Sequence, residues 1–360
     1  MLVLFGVAHA AATGPHLDTI VFSAQRNVLL DKVTEDGRYH KISCPTEAAH
    51  LYVIRPGKRM TRLTSGSSDD FAPQYSRSKA GVLFVRHSKT NHLMLLPNGS
   101  TKPKTLSKFP PGMPRNSVVS ASGRTYLVSL SENGLAYGGA EKMVCVFDGV
   151  VVQQFGGLNK DPIRGDHLGR YQIIPGTETV YVQLNDNSSF FFDCLTRKLA
   201  KTWPSDHIIF WQSPERAYSI DDDDDTKIIV YDRKGNKTSK ITPDLSAGTG
   251  MGPRDLLPQA EWIEAGSLII EDEDHISDGI HPSCYRLDLI TRKVTSMFDG
   301  EWLDTNDRRE FLSLSWEWIG DYKRGNHRTG FLHRSDKDGK HEKQVSDYPY
   351  DVTSACWWTG

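Results

Sequence analysis

No stretch of the 360-residue chain approaches the ~18 consecutive apolar residues of a membrane-crossing helix, so a helical span is excluded. Charge of one sign is missing as well. Lys and Arg number 43 against 45 Asp and Glu, a formal net charge of -2, and no long-range field marks out a nucleic-acid groove or an anionic membrane surface. The five cysteines, Cys44, Cys145, Cys194, Cys284 and Cys356, are scattered and never spaced C-x-x-C, which argues against a small disulfide scaffold or a cysteine-held metal cluster. Cys145, Cys194 and Cys284 lie in or beside apolar runs and read as buried thiols. G-x-S-x-G and H-E-x-x-H are absent. Gly248-Thr-Gly-Met-Gly-Pro resembles part of a dinucleotide loop, but no strand-to-helix context follows it. Helical periodicity is nearly absent. Hydrophobic residues make up only 38%, yet 14 Phe, 13 Tyr and 8 Trp, 35 aromatics together, are too many for a disordered chain.

At the N-terminus, Leu2-Val-Leu-Phe-Gly-Val-Ala8 runs into Ala8-His-Ala10, an A-x-A pattern of signal-peptide cleavage without a basic flank. Residues 1–17 are therefore read as a signal-like or apolar N-terminal segment, and residues 18–360 as one domain. The signal-like reading favours a secreted or periplasmic protein; the ordinary apolar reading leaves the cytoplasm open. The triplets Asn98-Gly-Ser, Asn187-Ser-Ser and Asn236-Lys-Thr fit secretion in a eukaryote but also arise by chance.

What is present is a repeat. His50-Leu-Tyr-Val-Ile-Arg-Pro-Gly, His92-Leu-Met-Leu-Leu-Pro-Asn-Gly, Met143-Val-Cys-Val-Phe-Asp-Gly, Ser189-Phe-Phe-Phe-Asp-Cys-Leu-Thr-Arg-Lys, Lys227-Ile-Ile-Val-Tyr-Asp-Arg-Lys-Gly, Cys284-Tyr-Arg-Leu-Asp-Leu-Ile-Thr-Arg-Lys and Gly330-Phe-Leu-His-Arg-Ser-Asp-Lys-Asp-Gly are each a strand ending in turn residues. Their starts are about 40 to 57 residues apart, the range of four-stranded propeller blades. Upstream of most lies a second hairpin, as in Ser117-Val-Val-Ser-Ala-Ser-Gly-Arg-Thr-Tyr-Leu-Val. The expectation is an all-β, seven-bladed β-propeller, with six or eight blades as alternatives. Ser354-Ala-Cys-Trp-Trp-Thr-Gly360 reads as an innermost strand that completes the N-terminal blade and leaves no free sheet edge.

Leu63-Thr-Ser-Gly-Ser-Ser-Asp-Asp-Phe-Ala-Pro-Gln-Tyr-Ser, followed by Gly81-Val-Leu-Phe-Val-Arg, resembles the β-propeller repeat of TolB-like proteins, and Leu256-Leu-Pro-Gln-Ala-Glu-Trp is a weaker echo. The resemblance covers one repeat and implies fold, not activity. Proteins with such repeats include scaffolds, peptidase gating domains and polysaccharide lyases.

In a propeller whose strands run A, B, C, D from the axis outward, the D-to-A connections line the mouth of the central channel, the usual ligand site. Read blade by blade, these connections supply Asp69 and Asp70; Arg115 and Asn116; Arg164, Asp166, His167, Arg170 and Tyr171; Asp206 and His207; Arg254 and Asp255; Asp307, Arg308, Arg309 and Glu310; and Tyr348, Tyr350 and Asp351. Arginine's planar fork suits a carboxylate or phosphate. Arg115, Asn116, Arg254, Arg308, Arg309, Tyr348 and Tyr350 are accordingly read as ligand-binding residues for a glycan or other anionic ligand, against the alternative that arginines and aspartates merely pair and fix the loops. In an enzymatic version, a polysaccharide lyase acting on a uronate by β-elimination, His167 or His207 takes the C5 proton, Tyr171 protonates the leaving oxygen, and Arg164, Arg170 or Arg254 clamps the carboxylate. A third reading is a non-catalytic protein-interaction scaffold.

Two acidic runs, Asp221 to Asp225 and Glu271-Asp-Glu-Asp-His275, read as B-to-C loops on the outer rim. They lack the Gly-containing pattern of a Ca2+ loop, so no cofactor is expected, Ca2+ being the one candidate. His275 and His281 read as loop histidines. Trp302, Trp316, Trp318, Trp357 and Trp358 read as inter-blade packing.

Overall fold

The computed structural model describes residues 19–33, 39–131, 141–156, 168–184, 188–203, 209–221, 224–244, 255–256, 267–276, 279–305, 310–319, 327–346 and 350–358. Every regular element among them is a β-strand. The first sheet is built from β1 (Thr19–Val33), β2 (Tyr39–Pro45), β3 (His50–Ile54) and β4 (Thr61–Arg62). Six four-stranded antiparallel meanders follow. The second sheet holds β5 (Asp69–Ser76), β6 (Gly81–His87), β7 (Asn91–Pro97) and β8 (Lys104–Phe109). The third holds β9 (Met113–Val119), β10 (Thr125–Ser131), β11 (Glu141–Phe147) and β12 (Val150–Gly156). The fourth holds β13 (Leu168–Ile173), β14 (Thr179–Leu184), β15 (Ser189–Asp193) and β16 (Lys198–Lys201). The fifth holds β17 (Phe210–Ser213), β18 (Arg216–Asp221), β19 (Asp224–Asp232) and β20 (Lys237–Ile241). The sixth holds β21 (Asp255–Leu256), β22 (Ser267–Ile276), β23 (Gly279–Asp288) and β24 (Val294–Asp299). The seventh holds β25 (Glu301–Thr305), β26 (Phe311–Ile319), β27 (His327–Ser335) and β28 (Lys343–Gln344). The last strand, β29 (Tyr350–Trp358), returns to the first sheet and pairs antiparallel with β1 from Thr19↔Trp358 to Arg26↔Tyr350.

Among the described residues the middle strands carry most of the burial, as in β6, β10 and β14. All seven residues of β10 are buried, whereas β16 is exposed at all four positions and β20 at four of five. The apolar content is thus concentrated in second and third strands, which are sandwiched between neighbouring sheets. Leu83 and Val85 pack with Tyr126 and Val128 between the second and third sheets, and Leu127 and Cys145 with Val180 and Phe192 between the third and fourth. Tyr181 packs with Trp211 between the fourth and fifth, and Tyr218 and Ile228 with Leu287 and Phe298 between the fifth and sixth. Phe311 carries the last of these clusters into the seventh sheet. Leu312, Leu314 and Leu332 of the seventh sheet pack against Ile20, Phe22 and Trp357 of the first; Val21, Leu51 and Trp358 pack against Phe84 and Leu96 of the second. Trp357 and Trp358 therefore serve the two opposite interfaces of one sheet, as alternation along a strand requires.

Turn chemistry joins the third strand to the fourth. Asp193 accepts the N–H groups of Leu195 and Thr196, and Asp288 those of Ile290 and Thr291. Asp232 accepts from Lys234 and Asn236, and Asp336 from Asp338 and Lys340. An Asp at the end of the third strand is thus the chemical signature of the repeat, since its short side chain replaces missing ladder bonds.

The acidic runs lie differently from their expected loop positions. Glu271–His275 is part of β22, facing β23 with Asp274↔His281 and His275↔Ile280 in register, so these histidines belong to hairpin arms. Asp221 and Asp224 pair where β18 meets β19. The longest hairpins among the described residues are β22–β23 and β26–β27, of the sixth and seventh sheets.

Candidate functional site at the starts of the inner strands

Most inner strands carry a β-bulge. Ala72 and Pro73 oppose the single residue Phe84 in the second sheet, and Arg115 and Asn116 oppose Ser129 in the third. Gly169, Gln212, Leu303 and Thr353 are the extra residues in the fourth, fifth, seventh and first sheets. A bulge breaks a ladder and re-aims side chains, and such features concentrate beside functional sites.

The broken ladder is replaced by bonds between inner strands. Ala72, a non-glycine residue at φ 55, accepts from the Tyr126 hydroxyl at 2.6 Å and from Ser117 Oγ at 3.2 Å, and its N–H donates to Ser354 Oγ at 3.2 Å. Three sheets meet on one residue. Gln74 Nε2 donates to the Ser117 carbonyl at 3.0 Å. Gln172, 2% exposed, grips the next inner strand twice: Nε2 donates to the Trp211 carbonyl at 2.6 Å and the Trp211 N–H donates to Oε1 at 2.8 Å. The strained conformation at Ala72 persists because its surroundings over-determine it.

At the start of β5, Asp70 is fully buried and takes a bidentate ion pair from Arg86, at 2.7 and 2.9 Å. This pair holds the Arg86 guanidinium above its ordinary value. Asp69 accepts the Ala49 N–H at 2.7 Å. Next to Ala49, His50 is wholly buried and neither ring nitrogen has a partner among the described residues. Burial lowers its pKa from 6.5, Arg62 lowers it further, and Asp70, Glu47 and Asp69 oppose the shift, so it is neutral at neutral pH. The Asn27 amide is likewise buried with no partner among the described residues. On the same sheet Arg62 pairs with Glu47 at 2.8 Å, and Tyr52 donates to Glu47 at 3.3 Å. Burial and the Glu47 charge push the Tyr52 phenol up to about 12. Tyr350 is half-buried with its ring edge-on to Tyr52, centroids 5.1 Å apart.

These observations sort the residues expected at the mouth. Asp69, Asp70, Arg115, Asn116, Arg170, Tyr171, Tyr350 and Asp351 lie on inner strands rather than in loops, because pairing with the second strand begins earlier than the hydrophobic runs suggest. Arg115 and Asn116 occupy the bulge of β9; Arg170 and Tyr171 follow the bulged Gly169 of β13. Tyr171 is half-buried against the cluster of the third and fourth sheets. Arg164, His167, His207, Arg254 and Tyr348 fall in connections entering inner strands, outside the described residues. Arg308 and Arg309 also fall outside them, but their place in the chain differs from the expected one. They stand between β25 and β26, the first and second strands of the seventh sheet, so they join A to B. The actual entry into β25 is the single residue Gly300, at φ 120, where a Cβ would lie 2.9 Å from the Leu314 carbonyl oxygen. So short an entry leaves no loop signal to read.

Sequence reasoning missed His50, Asn27 and a polar chain in the seventh sheet. There Ser315 Oγ lies 2.7 Å from His333 Nε2, and His333 Nδ1 lies 3.2 Å from Glu342. Hydroxyl, imidazole and carboxylate stand in the order of an activated serine, with Ser315 on the second strand and His333 on the third strand of the seventh sheet rather than on its inner strand. Among the described residues no three His, Cys, Asp or Glu side chains are gathered to hold a metal, and no helix is long and apolar enough to cross a membrane.

No family model matches the chain, and no curated protein sequence matches it. Solved structures do. The oligogalacturonate lyase of Vibrio parahaemolyticus aligns over 89% of this chain and 91% of its own, with a TM-score of 0.50 at 12% identity. A candidate 6-phosphogluconolactonase from Bacteroides uniformis aligns over 94% and 99%, again at 0.50 and 12%. The fold is propeller-like. TolB from Acinetobacter baumannii, at 12% identity and a TM-score of 0.45 over 95% of this chain and 67% of its own, stands beside them. At such identities the likeness is one of fold, and the TolB-like resemblance of the segment around Phe71 holds at that level.

Proposed function

We propose that the chain is a seven-bladed propeller, closed by β29 completing the first blade, that binds an anionic glycan of the polyuronate class across the bulged ends of its inner strands. Closure is supported by the β1–β29 register and by the clusters that carry packing from each sheet to the next and from the seventh to the first. The binding reading rests on one observation: Arg115 and Asn116 fill a bulge, and Arg170 and Tyr171 follow another, at the same end of consecutive inner strands. Near that end Arg62 is paired with Glu47 and Arg86 with Asp70; Arg115 and Arg170, with Arg164 and Arg254 from the entering connections, are the proposed partners of the carboxylate.

Titration calorimetry with oligogalacturonate and with a neutral oligosaccharide of equal length tests the proposal. Binding of the acidic ligand alone is expected, weakened by salt. Arg115→Ala and Arg170→Ala should each weaken it roughly tenfold or more, as loss of a charge-assisted bond does. Equal affinity for both sugars, or binding indifferent to both substitutions, overturns the reading. The full-length likeness to oligogalacturonate lyase favours a second reading, in which the same mouth performs β-elimination with His167 or His207 as base, Tyr171 as acid and Arg164, Arg170 or Arg254 as clamp. Elimination releases a conjugated product absorbing in the ultraviolet. Binding without that signal identifies a lectin-like module; neither identifies an interaction scaffold.

A further inference from the structure

Cys145 and Cys194 stand 49 positions apart in sequence, yet their Sγ atoms are 3.4 Å apart. Both are free thiols with 0% exposure. Cys145 belongs to β11 and Cys194 directly follows β15, so the contact crosses the interface between the third and fourth sheets, within the cluster of Leu127, Phe155, Val180 and Phe192. The main chain is pinned on the Cys194 side, where its N–H donates to the Glu178 carbonyl at 3.1 Å. The Glu178 carboxylate in turn accepts from Ser122 and Thr125 across the interface. A disulfide needs the sulfurs about 1.4 Å closer, at a bond length of about 2.0 Å. Cys284 and Cys356 lie in other clusters and Cys44 stands on β2 of the first sheet, so the pairing that presents itself is that of Cys145 with Cys194.

We propose that Cys145 and Cys194 are a cross-linking site, joined as an inter-sheet disulfide when the chain folds in an oxidising compartment. The oxidant is a low-molecular-weight or protein disulfide. The Cys194 thiolate attacks one of its sulfurs, giving a mixed disulfide and releasing the first thiol. Cys145 then loses its proton and attacks the Cys194 sulfur, which forms the intrachain bond and expels the second thiolate, reprotonated to a thiol. Two protein thiols are oxidised by two electrons while one disulfide is reduced to two thiols. In the packed fold the S–H of Cys145 lowers the Cys194 thiol, while the same contact and burial push Cys145 well up. Because both sulfurs are inaccessible in the packed fold, the exchange belongs to folding, before the two sheets close, and the finished bond is shielded from reductants.

The test is refolding of the full chain in a glutathione redox buffer, alkylation in denaturant, and intact-mass and peptide mapping. Three of the five cysteines are expected to take label, with the peptides of Cys145 and Cys194 joined, and reduction should lower the melting temperature by about 5 °C. In Cys194→Ala all four remaining cysteines should label and reductant should leave the melting temperature unmoved. Five labels on the oxidised wild-type chain, or a bond between any other pair, overturns the proposal, and this mapping of the wild-type chain needs no variant to fold.

Discussion

Removal of residues 350–360 takes away β29, and the structure sets the size of the effect. Val352, Ala355, Cys356, Trp357 and Trp358 are all buried there, the two indoles to 2% and 6% exposure. An aromatic side chain buries roughly 150–250 Å², which at ~25 cal/mol/Å² is about 4–6 kcal/mol per indole. Residual compactness of the unfolded chain trims this by ~10–40%, leaving roughly 5–11 kcal/mol for the pair. The whole stability of a folded domain is only ~5–15 kcal/mol. Trp358 adds the bond from Nε1 to Asn98 Oδ1 of the second sheet, at 2.8 Å, and Trp357 lies under the Arg334 guanidinium at 5.3 Å. The loss also strips β1 of one of its strand partners and opens an edge in the middle of the packing. The truncated chain should therefore show no cooperative thermal transition by near-ultraviolet circular dichroism, and a peptide of residues 348–360 added in trans should restore one in a saturable way. The milder Trp358→Ala should keep cooperativity and lose about 3–5 kcal/mol. A strand merely laid on the surface would shift the melting temperature by a few degrees; a truncated chain melting like wild type refutes closure through β29.

Two further outcomes follow from the same contacts. Gln172→Leu fills the same space but leaves the Trp211 N–H and carbonyl without the side chain that serves both, at about 1–3 kcal/mol for each buried group; the urea midpoint should fall sharply with the slope unchanged, and an unmoved midpoint counts against the interlock. The Asn236 side chain and backbone hold the Asp232 carboxyl below its ordinary 3.8, the Thr291 and Ile290 N–H groups do the same for Asp288, and Arg124 does so for Asp148. Folded values below unfolded ones mean a contribution complete above the unfolded value of about 3.9, and lost as pH falls through the folded values. Melting temperature should drop below about pH 4, and the joint variant Asp148→Asn, Asp232→Asn and Asp288→Asn should flatten that limb; an unchanged limb refutes the assignment.

The sheets were legible in the sequence where a strand is sandwiched on both faces, because such strands read as short apolar runs closed by turn residues. The run from Met143 to Gly149 and that from Ser189 to Lys198 needed nothing else. Inner strands were harder. They are partly polar, so Glu301-Trp302-Leu303 gave no run long enough to notice, and the entry into it is one glycine; this is why Arg308 and Arg309 were read at the wrong end of the seventh sheet. The weaker echo that begins at Leu256 runs on from the two-residue inner strand Asp255–Leu256 into residues outside the described ones. The long arms of β22 and β23 looked like loops because acidic side chains mask strand periodicity. His50, Asn27 and the Ser315–His333–Glu342 chain were invisible for a different reason: their meaning depends on burial and on contacts between strands, which no spacing along the chain encodes.

The Phe71-Ala-Pro-Gln-Tyr-Ser76 segment shows why one repeat kept recognisable letters. Asp70 holds Arg86, Ala72 and Pro73 make the bulge, Ala72 joins three sheets, Gln74 reaches Ser117, and the Tyr75 hydroxyl accepts from Asn98. Ala72 and Gln74 bond to neighbouring sheets while Asp70 and Tyr75 are held within the second sheet, so the motif describes assembly rather than chemistry. Elsewhere the same task falls to other residues, such as Gln172 with Trp211, and the letters diverge while the bulges persist. Because hydrogen bonds between inner strands share in holding the sheets together, the chain folds with only 38% hydrophobic residues. At the bulges of β9 and β13 interlocks are made by the neighbours Ser117 and Gln172, and under the proposed binding role these hold the frame on which Arg115, Asn116, Arg170 and Tyr171 would meet a ligand.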